Sequence, residues 1–124
     1  MAAIVRTVDG ISIVELSGEF TLGRGEVGRP LDLHGRRLED LGQTLGGLLD
    51  RKSTRIVLDL EKVRFIDSAG LGDLVAWMKR ARQLGGDVRL LRPRDRVRDL
   101  FDLMALTRVF RIFDEESEAI ASFR

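Results

Sequence analysis

The sequence predicts an α/β domain with a mixed, mostly parallel β-sheet, an N-terminal hairpin and packed α-helices. Two alternating apolar runs at the start of the chain are separated by Asp9-Gly10, a dipeptide typical of tight β-hairpins. After residue 36, helical and strand periodicities alternate, the pattern of right-handed crossovers in a parallel sheet. The length of 124 residues fits one domain, so a single domain is expected over residues 1–124.

The N-terminal region predicts a hairpin followed by a loop. Apolar residues alternate with polar ones near residues 3–8 and 11–17, which predicts the two strands of the hairpin. Residues 23–37 then form the least regular part of the sequence, with four Gly and one Pro between Gly23 and Gly35. This composition predicts a Gly-rich loop.

The rest of the chain alternates between helices and strands. Leucines at helical spacing predict a helix near residues 36–51, although each of its three glycines lowers helix propensity by up to about 1 kcal/mol. RIVLDL, Arg55–Leu60, predicts a short apolar strand. In order, we then expect a helix near 69–84 ended by Gly85-Gly86, a strand at Val88–Leu91, a helix near 94–104, a strand at Val109–Phe113 and a terminal helix at Asp114–Phe123 with Asp114 as its N-cap.

The composition excludes several classes of function. The chain has no Cys and one His, His34, which excludes thiol chemistry, Cys-based zinc sites and multi-His metal sites. It also has no P-loop lysine, so we expect no metal, no cofactor and no enzymatic activity. The 21 basic and 20 acidic residues leave a net charge of +1, which gives no basic footprint for nucleic acid.

The sequence also carries no signal for a membrane or for export. No uncharged stretch approaches the ~20 apolar residues of a membrane helix, so direct membrane insertion is not expected. The N-terminus MAAIVRTVDG lacks the pattern of a signal peptide, and the cytoplasm is the expected location. The oligomeric state is left open.

The most informative segment is VRFIDSAGLGDLVAWMKRARQLGG, residues 63–86. Ser68 stands where the N-cap of the following helix is expected, and a capping hydroxyl typically contributes ~1 kcal/mol. A hydroxyl at a helix N-terminus is also well placed to carry a phosphate, because the free N–H groups and the helix dipole stabilise an anion. Gly70 and Gly72 have no side chains, so a partner could approach the backbone of the first turn closely. Spacing alone favours the plain cap over the phosphate site.

Together with this segment, other motifs resemble the STAS domain of the bacterial anti-sigma factor antagonist family. The family's core motif is Asp, Ser or Thr, a small residue, Gly, Leu, Gly, and residues 67–72 match it completely. IVLDL precedes that motif, while ARQLGGDVRLLRP and VRDLFDLMALTRVFRIFD follow it in the family's order, and VELSGEF at 14–20 resembles the second strand. The resemblance covers nearly the whole chain except the Gly-rich loop and implies a single STAS domain.

The resemblance implies a regulatory function based on partner switching. In this family the unmodified antagonist binds a serine-kinase anti-sigma factor, the kinase phosphorylates the Ser after the Asp, and a phosphatase reverses the modification. Carried over, Ser68 is the phospho-acceptor. The partner-binding residues that the resemblance implies are Asp67, Ser68, Ala69, Gly70, Leu71, Gly72 and Thr21.

Two departures from the family pattern keep other STAS functions open. Thr21 stands where many family members carry an acidic residue near the phosphosite, and the 23–37 segment is longer than usual by roughly ten residues, judged from the family pattern. The alternatives are a non-phosphorylated STAS scaffold and a STAS subunit of a lipid-transport ATPase. Both predict partner binding without phosphorylation.

Two weaker signals have competing interpretations. GRGEVG, residues 23–28, fits the dinucleotide pattern G-x-G-x-x-G, which would support a nucleotide-binding enzyme. The pattern is not in a strand-to-helix turn, however, so a loop is the favoured interpretation. Trp77 lies beside the apolar stripe of its helix, which favours a residue at the edge of the core over an exposed interface anchor.

Overall fold

A five-stranded sheet forms the centre of the computed structural model, which describes residues 2–20 and 37–124. The strands lie side by side in chain order, with β1 antiparallel to β2 and every later pair parallel. This arrangement confirms the predicted hairpin and the mixed, mostly parallel sheet. The strands are β1 (Ala2–Val8), β2 (Ile11–Phe20), β3 (Arg55–Ile66), β4 (Asp87–Leu91) and β5 (Ile112–Phe113).

Helices cover both faces of the sheet. The helices are α1 (Arg37–Asp50), α2 (Ser68–Gln83), α3 (Asp95–Leu103) and α4 (Glu116–Ala121), with a short 3-10 helix at Leu106–Arg108. The larger apolar cluster joins one face of the sheet to α1, α2 and α3, whereas the smaller cluster joins the opposite face to α4. Alternation along β2 produces this division, because Val14 and Leu16 point into the larger cluster while Ile11 and Ile13 point into the smaller one.

Strand β3 is longer than predicted, and its extra length sets where the following helix, α2, begins. Its first half pairs with β4 only from Arg55 to Asp59. Its second half continues along β2 as far as the pair Phe20–Ile66. The prediction ended the strand at Leu60, where the apolar run RIVLDL ends. Beyond it, two register shifts between β2 and β3 interrupt the period-two alternation that marks a strand. Beyond the pair Asp59–Leu91, where β4 ends, the side of β3 that no longer pairs with β4 is bordered by α3.

The C-terminal elements differ from the prediction in their boundaries. The last strand is only Ile112–Phe113, since the chain first forms the 3-10 helix. Asp114 is not an N-cap. Its carboxylate accepts a hydrogen bond of 2.9 Å from Arg98, and the cap position of α4 belongs to Glu115, which makes no side-chain capping bond.

Trp77 packs at the edge of the core, which confirms the favoured interpretation of this residue. Its ring lies against α1 at two glycines, where a Cβ would stand 3.8 Å from the ring at Gly42 and 3.5 Å at Gly46. Both distances are ordinary van der Waals contacts, so the ring packs directly on α1 at positions where alanine would also fit. The close packing explains how a helix with poor intrinsic propensity forms at this place.

Candidate partner-binding site at the start of helix α2

Helix α2 begins directly after β3, and Asp67 is its N-cap. Asp67 has extended backbone angles (φ −92°, ψ 175°), and its Oδ1 atom accepts a hydrogen bond of 2.7 Å from the backbone N–H of Gly70. The backbone carbonyl of Asp67 also accepts the first helical bond, from Leu71, at 2.9 Å. The prediction that Ser68 caps the helix is therefore wrong by one residue. The chain is still extended at Asp67, because β3 pairs with β2 up to Ile66.

Ser68 is the first residue inside the helix, and its side chain is exposed. Within residues 2–20 and 37–124, its hydroxyl makes no hydrogen bond to the protein. The hydroxyl is thus available to another molecule, and it stands where the free N–H groups and dipole of α2 favour an added negative charge. A phosphate on this oxygen would meet the same favourable environment.

The other residues of the 67–72 motif divide into an exposed and a buried set. Ala69 and Gly72 are exposed, and a Cβ built on Gly72 would meet nothing within 4 Å. Gly70 is buried, and Leu71 is 1% exposed within the larger apolar cluster. Leu71 therefore anchors the start of α2, while Ser68, Ala69 and Gly72 form its accessible surface. Thr21 lies outside the described residues, as do His34, the GRGEVG pattern and most of the Gly-rich segment.

An apolar pocket lies beside this surface and was not predicted from the sequence. The pocket has a volume of about 150 Å³ between the end of β3 and the first turns of α3. Its lining consists of Arg64, Phe65, Ile66, Arg96, Val97 and Leu100. Phe65 is 45% exposed although it is a large apolar residue. No local pattern reveals the pocket, because its walls come from two elements about 30 residues apart in sequence.

An ion pair between a buried carboxylate and a partly exposed arginine helps to fix the geometry of this region. Asp59, which is 3% exposed, accepts hydrogen bonds from the backbone N–H of Glu61 at 3.1 Å and from Arg92 at 3.0 Å. Arg94 donates to the backbone carbonyl of Glu61 at 2.8 Å. Arg92 and Arg94 lie in the connection between β4 and α3, so these bonds hold the start of α3 against β3. Asp59 itself lies inside β3.

One carboxyl group on α2 is electrostatically perturbed. Burial raises the pKa of Asp73 above its ordinary value, and a hydrogen bond from Trp77 on the next turn partly offsets this effect. Trp77 is also the aromatic residue that packs on α1. The raised pKa of Asp73 thus reflects the close packing of α2 against the domain.

In the described part of the chain, His, Cys, Asp and Glu side chains nowhere gather in a group of three that could bind a metal ion. Over the same residues, no helix has both the length and the apolar character needed to span a bilayer.

Comparison with known proteins places the chain in a family. The STAS domain family matches residues 2–119, and the chain belongs to this family. The anti-sigma F factor antagonist of Paenibacillus polymyxa is 31% identical over 111 residues, which cover 90% of this chain and 85% of that protein. BtrV of Bordetella bronchiseptica, provisionally named an anti-sigma factor antagonist, is 30% identical over 86 residues, covering 69% of this chain and 74% of that protein.

The similarity extends to solved structures. A crystal structure from Thermotoga maritima, also named provisionally as an anti-sigma factor antagonist, superposes with a TM-score of 0.76 at 25% identity. The superposition covers 98% of this chain and 94% of that one. The single α/β domain with a mixed five-stranded sheet is therefore the STAS fold.

Proposed function

We propose that the protein is an anti-sigma factor antagonist that binds a serine-kinase anti-sigma factor and is switched off by phosphorylation of Ser68. The observation that carries this proposal is the position of the Ser68 hydroxyl. It is exposed on the first residue of α2, and it has no hydrogen-bond partner among the described residues. Relatives that are 30–31% identical over the aligned residues are named as anti-sigma factor antagonists, one of them provisionally.

In the unmodified state, the accessible surface of Ser68, Ala69 and Gly72 would contact the anti-sigma factor. Gly72 contributes no side chain, so the partner can approach the backbone of the first turn. The capping bond of Asp67 and the burial of Leu71 in the larger apolar cluster hold this turn in place. Binding would occupy the anti-sigma factor and release the sigma factor, so transcription would proceed.

Phosphorylation would reverse binding through charge and solvation. A phosphoserine adds about −1.5 to −2 charges at neutral pH. The free N–H groups of α2 would stabilise this charge on the isolated antagonist, whereas the complex would require it to be desolvated against the partner. A hundredfold loss of affinity corresponds to only about 2.7 kcal/mol. The protein would thus act in the cytoplasm as a kinase substrate and binding module without catalysis of its own, and a phosphatase would restore it.

The experiment combines phosphorylation with binding. The wild-type chain is used to capture its serine kinase from its own cells, and the purified kinase is incubated with ATP and the wild type, Ser68→Ala or Ser117→Ala. Ser117 is an exposed serine in the first turn of α4, which makes it a matched control. Mass spectrometry should find phosphate on the wild type and on Ser117→Ala but not on Ser68→Ala.

Affinity is then measured by calorimetry for the wild type, Ser68→Ala and Ser68→Asp. We expect Ser68→Ala to bind like the wild type and Ser68→Asp to bind at least tenfold more weakly. Tight binding by all three without any phosphate on Ser68 would favour a non-phosphorylated STAS scaffold or a transporter-associated STAS subunit instead.

A further inference from the structure

The pocket beside Ser68 is of a size that suits one side chain and is too small for a typical ligand. Its volume is about 150 Å³, whereas small-molecule sites are usually about 300–1,000 Å³. An apolar cavity of roughly 150 Å³ accommodates a molecule the size of benzene. Four of its six lining residues are apolar: Phe65, Ile66, Val97 and Leu100.

Both charged residues that line the pocket are arginines, and none of the lining residues is acidic. Arg96 is exposed, and it makes no salt bridge to any residue that the structure describes. It also lies in the first turn of α3, where the helix dipole disfavours a positive charge. The charge of Arg96 therefore gains no stabilisation from the helix dipole or from an ion pair among the described residues, but it would favour a carboxylate brought in by another molecule.

The pocket lies close to Ser68 in the chain. Ile66 lines the pocket and Ser68 is two residues further along, so their Cα atoms are at most about 7 Å apart. A standard interface buries about 800 Å² on each partner, equivalent to a disc with a radius of roughly 16 Å. A protein docked over the Ser68 hydroxyl would therefore be large enough to reach the pocket as well.

We infer that this pocket receives one aromatic or large aliphatic side chain of the anti-sigma factor, and that a neighbouring carboxylate of the same partner pairs with Arg96. The inference rests on the proposed function, since it names the chemistry of the partner at the same surface. An apolar anchor inserted into a small pocket, with a charged contact at its rim, is a common arrangement of the dominant residues in interfaces.

The test uses two variants with matched controls in the full chain. Arg96→Glu reverses the charge at the rim, and Phe65→Ala removes one wall of the pocket. Arg108→Glu makes the same charge change on the exposed 3-10 helix, and Leu103→Ala truncates an apolar residue that is 79% exposed at the far end of α3. Glu in the first turn of α3 is favoured by the helix dipole, so unfolding will not explain weaker binding by Arg96→Glu. Thermal melting verifies that all four variants fold.

Affinity for the purified anti-sigma factor is measured by calorimetry. We expect Arg96→Glu and Phe65→Ala each to bind at least tenfold more weakly than the wild type, with both controls within twofold of it. If either variant binds as tightly as its control while Ser68→Asp still weakens binding, the inference is overturned and the proposed function stands. If the wild type forms no complex with any anti-sigma factor, the proposed function fails and the inference fails with it.

Discussion

The carboxylate of Asp67 accepts a hydrogen bond of 2.7 Å from the backbone N–H of Gly70, one turn into helix α2. This bond assigns the capping of the helix to Asp67 and leaves the hydroxyl of Ser68 exposed on the next residue. Helix stability and the proposed switch are therefore carried by adjacent but different side chains. Substitutions at the two positions should have separable effects.

We expect Asp67→Ala to lower the free energy of unfolding by about 0.5–2 kcal/mol, because the capping bond is lost. Ser68→Ala should change it by less than about 0.5 kcal/mol, since an exposed side chain without a bond is removed. Asp67→Asn is the control, as Asn caps a helix as well as Asp. Urea denaturation measures all three variants. A loss at Ser68→Ala as large as that at Asp67→Ala would contradict the assignment of the cap.

The sequence predicted the order of the elements because each apolar stripe has a clear period. It did not predict the second half of β3, where register shifts interrupt the alternation. The cap was misplaced by one residue because Asp and Ser are nearly equivalent N-caps. Which of the two residues caps α2 depends on where β3 ends, and β3 pairs with β2 up to Ile66.

The pocket beside Ser68 could not be predicted for a different reason. Phe65 and Arg96 are distant in sequence, and they line the same pocket because β4 stops pairing with β3 at Asp59. That end point is a property of tertiary packing and leaves no local pattern. The resemblance to the STAS family directed attention to residues 67–72 but not to the pocket beside them.

Gly72→Ala should stabilise the fold and at the same time weaken partner binding. The Cβ of alanine would meet nothing within 4 Å, and Ala is favoured over Gly inside a helix by about 1 kcal/mol. We therefore expect a higher melting temperature together with weaker binding of the anti-sigma factor, because the new methyl group lies on the proposed contact surface. Gly46→Ala is the matched control. Its Cβ would stand 3.5 Å from Trp77, which is ordinary contact, so it should also stabilise the fold but leave binding unchanged. Equal binding by both variants would exclude close approach at Gly72.

The turn after α2 should tolerate substitution at Gly85 better than at Gly86. Gly85 has a φ of 91°, and alanine in this region costs roughly 1–2 kcal/mol. Gly86 packs closely against the connection between α1 and β3. A Cβ at this position would stand 1.9 Å from the backbone oxygen of Thr54. We expect Gly86→Ala to destabilise the protein by about 3 kcal/mol or more, since the backbone itself must move. Denaturation midpoints of the two variants test this order, and a larger loss at Gly85→Ala would show that the close contact is relieved cheaply.

Asp73 should make a pH-dependent contribution that opposes folding at neutral pH. Burial raises its pKa above the ordinary value of 3.8, so the folded state binds the proton more tightly than the unfolded state does. As the pH rises from 3.8 through the pKa of the folded state, this difference lowers stability, and the cost stays constant at higher pH. Asp73→Asn removes the charge and can still accept the hydrogen bond from Trp77.

We therefore expect the stability of Asp73→Asn relative to the wild type to be greater at pH 7 than at pH 3. Asp99→Asn, which changes an exposed aspartate on α3, controls for the general loss of a carboxylate. Urea denaturation of the three proteins at both pH values measures the difference. If the gain of Asp73→Asn over the wild type is the same at pH 3 and pH 7, burial of the ionised group does not oppose folding, because only the charged form of Asp73 carries the cost of desolvation.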